Sequence, residues 1–308
     1  MIIIQARAKI NWTLDVLGKR EDGYHELDTL LQSVSLHDRL TLESAEDLRL
    51  EIMPGGIARG ARLRADERNL VLRAARALQK TSGIARGARM MLEKSIPVGA
   101  GMGGGSADAA AALAGLNRLW RLGYPPEALE RIGLEIGADI PFCVRGGLQR
   151  ARGVGERLTP MTPGRPLWLV VAQPCRGLST RDVFGALRVG TVDASRRPDN
   201  DAAAAALRDG DAAALAAAMG NVLQPVAESL RPEIALCAER VAAQKPLKTQ
   251  MTGSGSAVFG VFCSARAARE ALAALRTWYR AAWMTRTQAE GLLVEEAGKG
   301  GKAFTIRH

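Results

Sequence analysis

The hydrophobic pattern at the start of the chain is that of a β-sheet. Apolar and polar residues alternate through residues 2–16, which is the period of a half-buried strand. Residues 18–25 form a polar cluster with two glycines and predict a turn. The strand pattern then recurs in residues 27–34, 40–44 and 48–53. The sequence therefore predicts several strands before the first helix.

A helical pattern of apolar residues begins after Asn69 and ends at Gly83. Gly is a typical residue just past the end of a helix, so Gly83 is predicted to close this one. Three further elements are predicted before the middle of the chain: a strand over residues 89–93 and helices over residues 105–122 and 126–136.

The middle of the chain contains the strongest breaks in the pattern. Pro141 is expected to stop any helix from continuing, so residues 142–150 and 167–172 are predicted as strands. Residues 159–164 form the densest Pro/Gly/Thr cluster in this part of the chain. We place a domain boundary there, which gives an N-terminal domain of residues 1–163 and a C-terminal domain of residues 164–308.

The second half of the chain has a more helical pattern. Asp201 and Asp211 each precede an alanine run that ends near Gly210 or Gly220, so the sequence predicts a helical hairpin with Asp and Gly caps. The remaining predictions are strand–turn–strand over residues 249–262, a helix over 265–279, a last strand over 282–288 and a loosely ordered tail over 298–308.

Composition narrows the class of protein. Of the 308 residues, 24% are charged and only 4% are aromatic, which is typical of a soluble globular protein with an aliphatic core. No apolar run reaches the roughly 18 residues of a membrane helix. The first residues become polar too soon for a secretory signal, so we expect a cytoplasmic enzyme. Four dispersed cysteines and three histidines show no zinc-binding spacing, and no metal ligand is assigned.

The formal net charge of +10 suits either nucleic acid or an anionic small substrate. The arginines are scattered through alanine- and glycine-rich sequence, without the dense basic tracts and aromatics typical of RNA-binding surfaces. A general compositional bias explains the charge equally well, so the charge does not decide between these classes.

A glycine- and serine-rich loop lies between the strand at 89–93 and the long helix that follows. Glycines let consecutive N–H groups point at one anion, and the helix start adds unpaired N–H groups and a positive dipole end. Such a loop binds phosphate without a lysine. The predicted ATP-binding residues are Pro97, Val98, Gly99, Ala100, Gly101, Met102, Gly103, Gly104, Gly105, Ser106 and Ala107.

Three other interpretations of the loop explain less. A Walker loop requires a lysine before its Ser or Thr, and no lysine stands between Gly105 and Ser106. A Rossmann fingerprint fits the glycine spacing, but the acidic residue expected about 20 positions later is missing. A flexible linker explains neither the strand–helix context nor Ser106. Phosphate binding is therefore favoured.

Two charged residues are candidates for chemistry beside this loop. Lys9 interrupts an alternating strand, and Asp139 lies in an apolar turn after a helix. Each has a plain structural explanation, an edge-strand charge for Lys9 and a turn-forming role for Asp139. Neither residue is specific alone.

The order of the motifs is much more specific than any one of them. Lys9-x-Asn11, the glycine loop, Gly-Ala-Asp139-x-Pro and the glycine turn around Gly253 follow one another, and this order resembles the GHMP kinase superfamily. The segment Gly-Tyr24-His25 resembles the branch that phosphorylates a cytidine-diphosphate-linked methylerythritol in the non-mevalonate route to isoprenoids. The resemblance weakens over residues 188–244.

The resemblance implies an α+β fold with two domains. The N-terminal domain would contain a mixed sheet with helices, similar to domain 2 of ribosomal protein S5. The C-terminal domain would contain an antiparallel sheet with helices. The activity implied is transfer of a phosphoryl group from ATP, with Mg²⁺ expected, to the 2-hydroxyl of the cytidine diphosphate substrate.

The resemblance also implies roles for individual residues. Asp139 would accept the hydroxyl proton, and Lys9 would keep that carboxylate charged and orient the hydroxyl. Ser106 would contact a phosphate or the magnesium ion. The implied substrate-binding residues are Asn11, Tyr24, His25, Phe184 and Gly253. Arg181 and the insert over residues 54–64 depart from the family pattern, and the sequence indicates no role for them.

Two alternatives remain open from the sequence. One is another superfamily kinase, acting on homoserine, mevalonate or a sugar, although the Tyr24–His25 segment argues against it. The other is an RNA-binding module, since the chain is basic and the implied N-terminal fold resembles a ribosomal protein domain. We expect a small-molecule substrate, neither nucleic acid nor membrane as partner, and a monomer or weak homodimer.

Overall fold

The computed structural model describes residues 1–53 and 63–296, and the backbone of residues 303–305. The elements of the first half are β1 (Ile2–Lys19), β2 (His25–Ala45), β3 (Leu48–Ile52), α1 (Leu70–Ser82), β4 (Gly87–Glu93), α2 (Gly104–Leu119), α3 (Pro126–Leu134), α4 (Ile140–Arg145), β5 (Leu148–Gly153) and β6 (Arg157–Met161). Those of the second half are β7 (Trp168–Ala172), α5 (Thr180–Ala186), α6 (Asn200–Asp209), α7 (Ala212–Ala218), β8 (Gly220–Asn221), α8 (Gln224–Leu230), α9 (Pro232–Ala242), β9 (Lys248–Met251), β10 (Val258–Phe262), α10 (Ala265–Arg276), β11 (Ala282–Arg286), β12 (Leu292–Glu296) and β13 (Ala303–Thr305).

The first sheet is built around the long antiparallel pair of β1 and β2. Its strand order is β13-β12-β1-β2-β4-β3, and β5 and β6 continue the sheet from the other end of β2. β3 and β4 are parallel, as are β1 and β8, while the remaining pairs are antiparallel. The mixed sheet expected for the N-terminal part of the fold is therefore confirmed.

Irregular pairing in β1 positions the residues of the later site. The register between β1 and β2 shifts between Arg7 and Lys9 and again between Asn11 and Thr13. Such bulges bend a strand and change the direction of nearby side chains. The three residues from Lys9 to Asn11 thus form a short regular segment between two irregularities, and both polar side chains are buried.

The second sheet has the order β11-β7-β10-β9, and all its pairs are antiparallel. Its core includes Val170, Val258 and Leu275, together with Leu14 and Val16 from the far end of β1. The first half of β1 packs into the core of the first sheet. The expected antiparallel sheet is confirmed, and β1, β7 and β10 each contribute to both cores.

Helix α2 lies close against the first sheet because its residues are small. Its alanines from Ala109 to Ala112 are fully buried. A Cβ atom at Gly115 would lie 2.6 Å from Leu42 Cδ1 and 2.8 Å from Ile4 Cδ1, so a larger residue there would displace these side chains. The alanine-rich composition therefore brings the start of α2, and the loop before it, directly onto the sheet.

Most predicted elements lie where expected, including α1, which begins after Asn69 and is closed by Gly83. The Asn69 side chain accepts a hydrogen bond from the Val71 N–H at 3.0 Å, and Gly83 ends the helix in the left-handed conformation. The prediction of separate strands over residues 27–34 and 40–44 was wrong, because β2 is continuous. The polar residues between them find partners: the Ser35 hydroxyl lies 2.9 Å from that of Thr285, and Asp38 accepts backbone hydrogen bonds.

The predicted strand over residues 142–150 was wrong in its first part. The chain forms α4 from Ile140 to Arg145, and the strand β5 begins only at Leu148. Pro141 occupies the first turn of α4, where the missing N–H is not needed. Proline begins this helix instead of preventing one.

The predicted caps of the helical hairpin were partly wrong. Asp199, and not Asp201, caps α6 by accepting a hydrogen bond from the Ala202 N–H at 2.9 Å. Asp211 caps α7 as predicted, but Gly220 lies in β8, beyond the end of that helix. Asp201 lies in the first turn of α6 and pairs with Arg150.

The C-terminal part of the described chain returns to the first sheet. β11 begins at Ala282 as predicted but is not the last strand, because β12 pairs with β1 and β13 pairs with β12. Apart from residues 303–305, the tail predicted to be loosely ordered lies outside the described residues. The domain boundary after residue 163 stays a prediction. Within the described residues, no helix combines the length and apolar character needed to cross a membrane.

Candidate active site

A cleft of about 1240 Å³ runs across the molecule beside the glycine loop. It is bounded by residues from β1, the turn before β2, the start of α2, the start of α4, α5 and the turn between β9 and β10. The site residues predicted from the sequence that line it include Lys9, Asn11, Tyr24, His25, Asp139 and Phe184. The fold therefore brings residues from both halves of the chain to one surface.

The glycine loop lies back to back with the turn that follows β9. Gly101 has a φ of +75°, and a Cβ atom there would lie 2.2 Å from the Thr252 carbonyl oxygen. A Cβ atom at Gly253 would lie 2.7 Å from the Gly101 carbonyl oxygen. Any side chain at either position would separate the two turns. This contact explains why glycine occurs in both motifs.

The start of α2 leaves backbone donors facing the cleft. Gly103 caps the helix with a φ of +69°, and the cap has no side-chain hydrogen bond. The Ala107 N–H donates to the Gly103 carbonyl oxygen, and Ala107 is buried and does not line the cleft. The donors of the preceding residues, Gly104 to Ser106, are the unpaired N–H groups of a helix start, a position that favours anions.

Lys9 contacts this loop through both its backbone and its side chain. Its N–H donates to the Met102 carbonyl oxygen at 3.0 Å. A Cβ atom at Gly103 would lie 3.1 Å from Lys9 Cγ, so the lysine stem packs tightly against the loop. Lys9 is only 5% exposed, and its position is therefore fixed relative to the phosphate-binding loop.

A hydrogen-bond network orients the end of the Lys9 side chain. Lys9 Nζ donates to Asn11 Oδ1 at 2.8 Å, and Asn11 Nδ2 donates to the Thr29 hydroxyl at 2.9 Å. The Asn11 N–H donates to the Thr252 hydroxyl at 3.0 Å. Asn11 thus connects Lys9 to β2 and to the turn behind the glycine loop.

Asp139 lies at the entrance to α4, and its side chain is 46% exposed in the cleft. Its Oδ2 atom is 3.9 Å from Lys9 Nζ. The buried ammonium and the accessible carboxylate form the ion pair that the family resemblance implied. A ligand oxygen placed between them would contact a positive group and a proton acceptor together.

The other end of the cleft carries aromatic side chains. The His25 and Phe184 rings have their centroids 5.2 Å apart with an interplanar angle of 42°. Burial, and to a lesser extent the charge of Lys19, lowers the pKa of His25 below its usual 6.5. This shift favours the neutral form of the His25 ring at pH 7. Tyr24, beside it in the turn, is 64% exposed.

A buried charge cluster lies beneath the glycine loop. Lys94 Nζ binds the carboxylates of Asp38 and Asp108, the latter at 2.6 Å, and the second Asp108 oxygen has no hydrogen-bond partner among the described residues. Burial would lower the pKa of Lys94, but the two carboxylates outweigh it and raise that pKa. Burial raises the pKa of Asp108 well above its usual value. Lys94 is thus fixed by ion pairs within the fold.

Sequence reasoning missed the residues that support the site from behind. Thr29 has no distinguishing local pattern, and Thr252 lies beside the glycine turn with no signal of its own. Asp38 had one recognisable feature in the sequence: it is an acidic residue between two predicted strands. Its Oδ1 atom accepts the Ser95 and Ile96 N–H groups at 2.5 and 2.8 Å, so it holds the start of the glycine loop.

Both halves of the chain match known protein families. Residues 69–147 match the family described as GHMP kinases N terminal domain, and residues 203–281 match the family described as GHMP kinases C terminal. The chain is 43% identical over 290 residues to the 4-diphosphocytidyl-2-C-methyl-D-erythritol kinase of Pelotomaculum thermopropionicum, which covers 93% of this chain and 98% of the relative. The kinase of the same name from Symbiobacterium thermophilum is 43% identical over 285 residues, covering 92% and 99% of the two chains.

Solved structures agree with these sequence matches. A crystal structure of 4-(cytidine 5'-diphospho)-2C-methyl-D-erythritol kinase superposes with a TM-score of 0.77 at 36% identity, covering 92% of this chain and 98% of that chain. The homoserine kinase of Cytophaga hutchinsonii superposes with a TM-score of 0.72 at 19% identity, covering 98% and 97%, which shows the shared fold alone. The predicted fold class and the predicted class of enzyme, a small-molecule kinase, are confirmed. The chain belongs to the 4-diphosphocytidyl-2-C-methyl-D-erythritol kinase family of the GHMP kinases.

Proposed function

We propose that the protein transfers the γ-phosphoryl group of ATP to the 2-hydroxyl of 4-diphosphocytidyl-2-C-methyl-D-erythritol, giving the 2-phosphate and ADP. This step belongs to the non-mevalonate route to isoprenoid precursors. One observation carries the proposal: the glycine loop, the Lys9–Asp139 pair and the His25–Phe184 pair line the same cleft. A nucleoside triphosphate and a cytidine-bearing alcohol can therefore meet with the reacting groups between them.

The donor nucleotide is held through its phosphates. The N–H groups of Gly104 to Ser106 and the positive end of α2 contact the phosphate oxygens. The Lys9 ammonium, which reaches the same region, stabilises negative charge on the transferring group. Positioning and charge stabilisation are the main contributions that a protein makes to phosphoryl transfer.

The acceptor hydroxyl lies between Lys9 and Asp139. Asp139 accepts its proton as the oxygen attacks the γ-phosphorus, and the bond from that phosphorus to the bridging oxygen of ADP breaks. Lys9, held by Asn11, orients the hydroxyl and the carboxylate. Asn11 acts through Lys9, so we assign it to positioning the substrate end of the site.

The residues present fit a magnesium ion held mainly by the nucleotide. The Ser106 hydroxyl and the Asp139 carboxylate both line the cleft beside the loop. Over the described residues, no group of three or more His, Cys, Asp or Glu side chains could form an all-protein metal cage. Magnesium in kinases is usually held by one or two side chains together with phosphates and water. When bound, the ion neutralises charge on the phosphates.

The cytidine base lies at the His25–Phe184 end. Phe184 and the exposed Tyr24 ring offer apolar faces for stacking, and the neutral His25 ring can exchange hydrogen bonds with the pyrimidine edge. Gly253 permits close approach of backbone to substrate. We also propose a cytoplasmic location, a monomer or weak homodimer, and no nucleic-acid partner, in line with the sequence.

The test is ADP release measured with and without the cytidine substrate. We expect negligible release with ATP alone and rapid release when 4-diphosphocytidyl-2-C-methyl-D-erythritol is added, with the phosphate located on the 2-hydroxyl by NMR. Homoserine, mevalonate and a sugar serve as alternative acceptors. Faster turnover of any of these would overturn the substrate assignment, and RNA binding without turnover would favour the RNA-binding alternative.

A further inference from the structure

Arg181 is an exposed cation in the cleft that the proposed mechanism leaves without a role. It lies in the first turn of α5 and lines the cleft. Within the part of the chain that the structure describes, its guanidinium group makes no hydrogen bond and no ion pair. Exposed arginines elsewhere commonly pair with a carboxylate, as Arg68 does with Asp66 at 2.5 Å. Arg181 is therefore free to bind a ligand.

Helix α5 places Arg181 between two parts of the site. Phe184 lies three residues later, so the two side chains share a face of the helix, and the Phe184 ring contacts His25. The Thr180 hydroxyl, one residue earlier, lies 3.0 Å from the Ser254 hydroxyl. Along α5, Arg181 thus stands between a residue that contacts the glycine turn and a residue of the aromatic pair, and all of them line the cleft.

A second cation without a partner in the described part of the chain lies at this end of the cleft. Lys19 also lines the cleft, is exposed, and has no ion pair among the described residues. Its charge is strong enough at His25 to contribute to the lowered pKa of that ring. Asp22, which also lines the cleft, is already paired with Arg20 at 2.8 Å. Two cations therefore remain available for an anionic group.

We propose that Arg181 binds the diphosphate of the cytidine substrate, with Lys19 as a second, weaker contact. The inference rests on the proposed function, because the diphosphate joins the cytidine to the reacting alcohol. With the base at His25 and Phe184 and the hydroxyl at Asp139, the diphosphate lies between them, beside α5. A guanidinium group binds phosphate oxygens through two parallel hydrogen bonds, which a lysine cannot reproduce.

This contact makes Arg181 a specificity-determining residue. An alcohol that lacks a diphosphate gains nothing from it and leaves the cation unpaired. A phosphate contact of this type in a partly solvated cleft is worth about a tenfold change in affinity. The size of the effect should grow with the number of phosphates on the cytidine ligand.

The experiment measures inhibition of the wild type and of Arg181→Ala by cytidine, CMP and CDP. Each is used as a competitor of the alcohol substrate at saturating ATP, so that the nucleotide site is occupied. We expect unchanged inhibition by cytidine, a small loss for CMP and about a tenfold loss for CDP. Arg181→Lys should recover part of the CDP affinity, and the KM for ATP should not change.

Arg269→Ala is the matched control, because Arg269 is exposed on α10 and does not line the cleft. It should leave all three inhibition constants unchanged. An equal loss for cytidine and CDP would show that Arg181 acts on the base or on the helix, and an unchanged CDP constant would show no phosphate contact. Either result overturns this inference alone. Failure of the wild type to phosphorylate the cytidine-bearing alcohol would overturn the proposed function and this inference with it.

Discussion

At the scale of single residues, Lys9 and Asp139 differ in how the fold constrains them. Lys9 is buried and fixed by Asn11 and by the glycine loop, whereas about half of the Asp139 side chain is open to the cleft. The two residues therefore have different roles. Lys9 holds a fixed position beside the loop, and the Asp139 carboxylate contacts the substrate. Changes at Asp139 should therefore affect chemistry more than structure.

Asp139→Asn removes the proton acceptor with almost no change in shape. We expect turnover to fall about a hundred- to ten-thousand-fold, the usual contribution of a general base. The dissociation constant for ATP, measured by calorimetry, should stay close to that of the wild type. Asp209→Asn, an exposed carboxylate outside the cleft, is the control and should keep full activity. Comparable turnover in Asp139→Asn and the wild type would remove Asp139 from this role.

Protonation of His25 should control cytidine affinity. The pKa of His25 in the folded protein is below 6.5, so the ring gains its proton only as the pH falls through that lower value. Cytidine affinity should therefore be flat from about pH 8 to 6.5 and fall at lower pH. Lys19→Met removes one of the two causes that lower the pKa of His25. The decrease in cytidine affinity should therefore begin at a higher pH than in the wild type.

Calorimetry with cytidine, which carries no phosphate, measures this profile without involving Arg181. The His25 ring is followed in parallel by NMR. Lys80→Met, an exposed lysine on α1 outside the cleft, should leave the profile unchanged. If the decrease in cytidine affinity moved to lower pH in Lys19→Met, the effect of the Lys19 charge on the pKa of His25 would be contradicted.

At the scale of elements, the glycine loop depends on the turn behind it. Gly101→Ala combines the strain of a positive φ with a contact of 2.2 Å to the Thr252 carbonyl oxygen. We expect a loss of about 2 kcal/mol in the free energy of unfolding, and a rise of about tenfold or more in the KM for ATP as the loop moves.

Gly123→Ala provides the matched control for this change. Gly123 has a φ of +73°, but a Cβ atom added there would meet no other atom within 4 Å, so only the backbone strain remains. The variant should lose stability and keep the wild-type KM for ATP. An equal rise in KM in both variants would show that strain alone, and not the contact between the two turns, affects the nucleotide site.

The elements with local signals were predictable from the sequence. Alternation predicted β1, Asn69 and Gly83 predicted the ends of α1, and the glycine loop predicted an anion site. The strand prediction failed at Phe142 because an apolar run of this length fits a helix and a strand equally well. The supporting network of Asn11 and Thr252 joins positions 241 residues apart, and no local pattern reports such a contact.

At the scale of the whole molecule, β1 joins the two cores. Its first half packs in the core of the first sheet, and Leu14 and Val16 pack in the second. β12 covers the outer side of β1 and buries Leu292 and Val294. Because β1, β7 and β10 each contribute to both cores, we expect the two sheets to unfold together.

Leu292→Ala tests this coupling. Truncating this buried side chain should lower the free energy of unfolding by about 2–5 kcal/mol, and urea unfolding should shift to a lower midpoint in a single transition. Tryptophan fluorescence and circular dichroism should report the same midpoint. Leu293→Ala, the half-buried neighbour, is the control and should cost much less. Two separate transitions would show that the cores are independent.

The pairing of β1 with β12 also bears on how the protein is made. Ile2 pairs with Glu296 and Ala6 with Leu292, so β1 is synthesised long before its partner β12. During synthesis the edge of β1 lacks this partner, and exposed strand edges associate readily with other chains. Translation speed and chaperone access over the second half of the chain should therefore influence the yield of folded enzyme more than its equilibrium stability does.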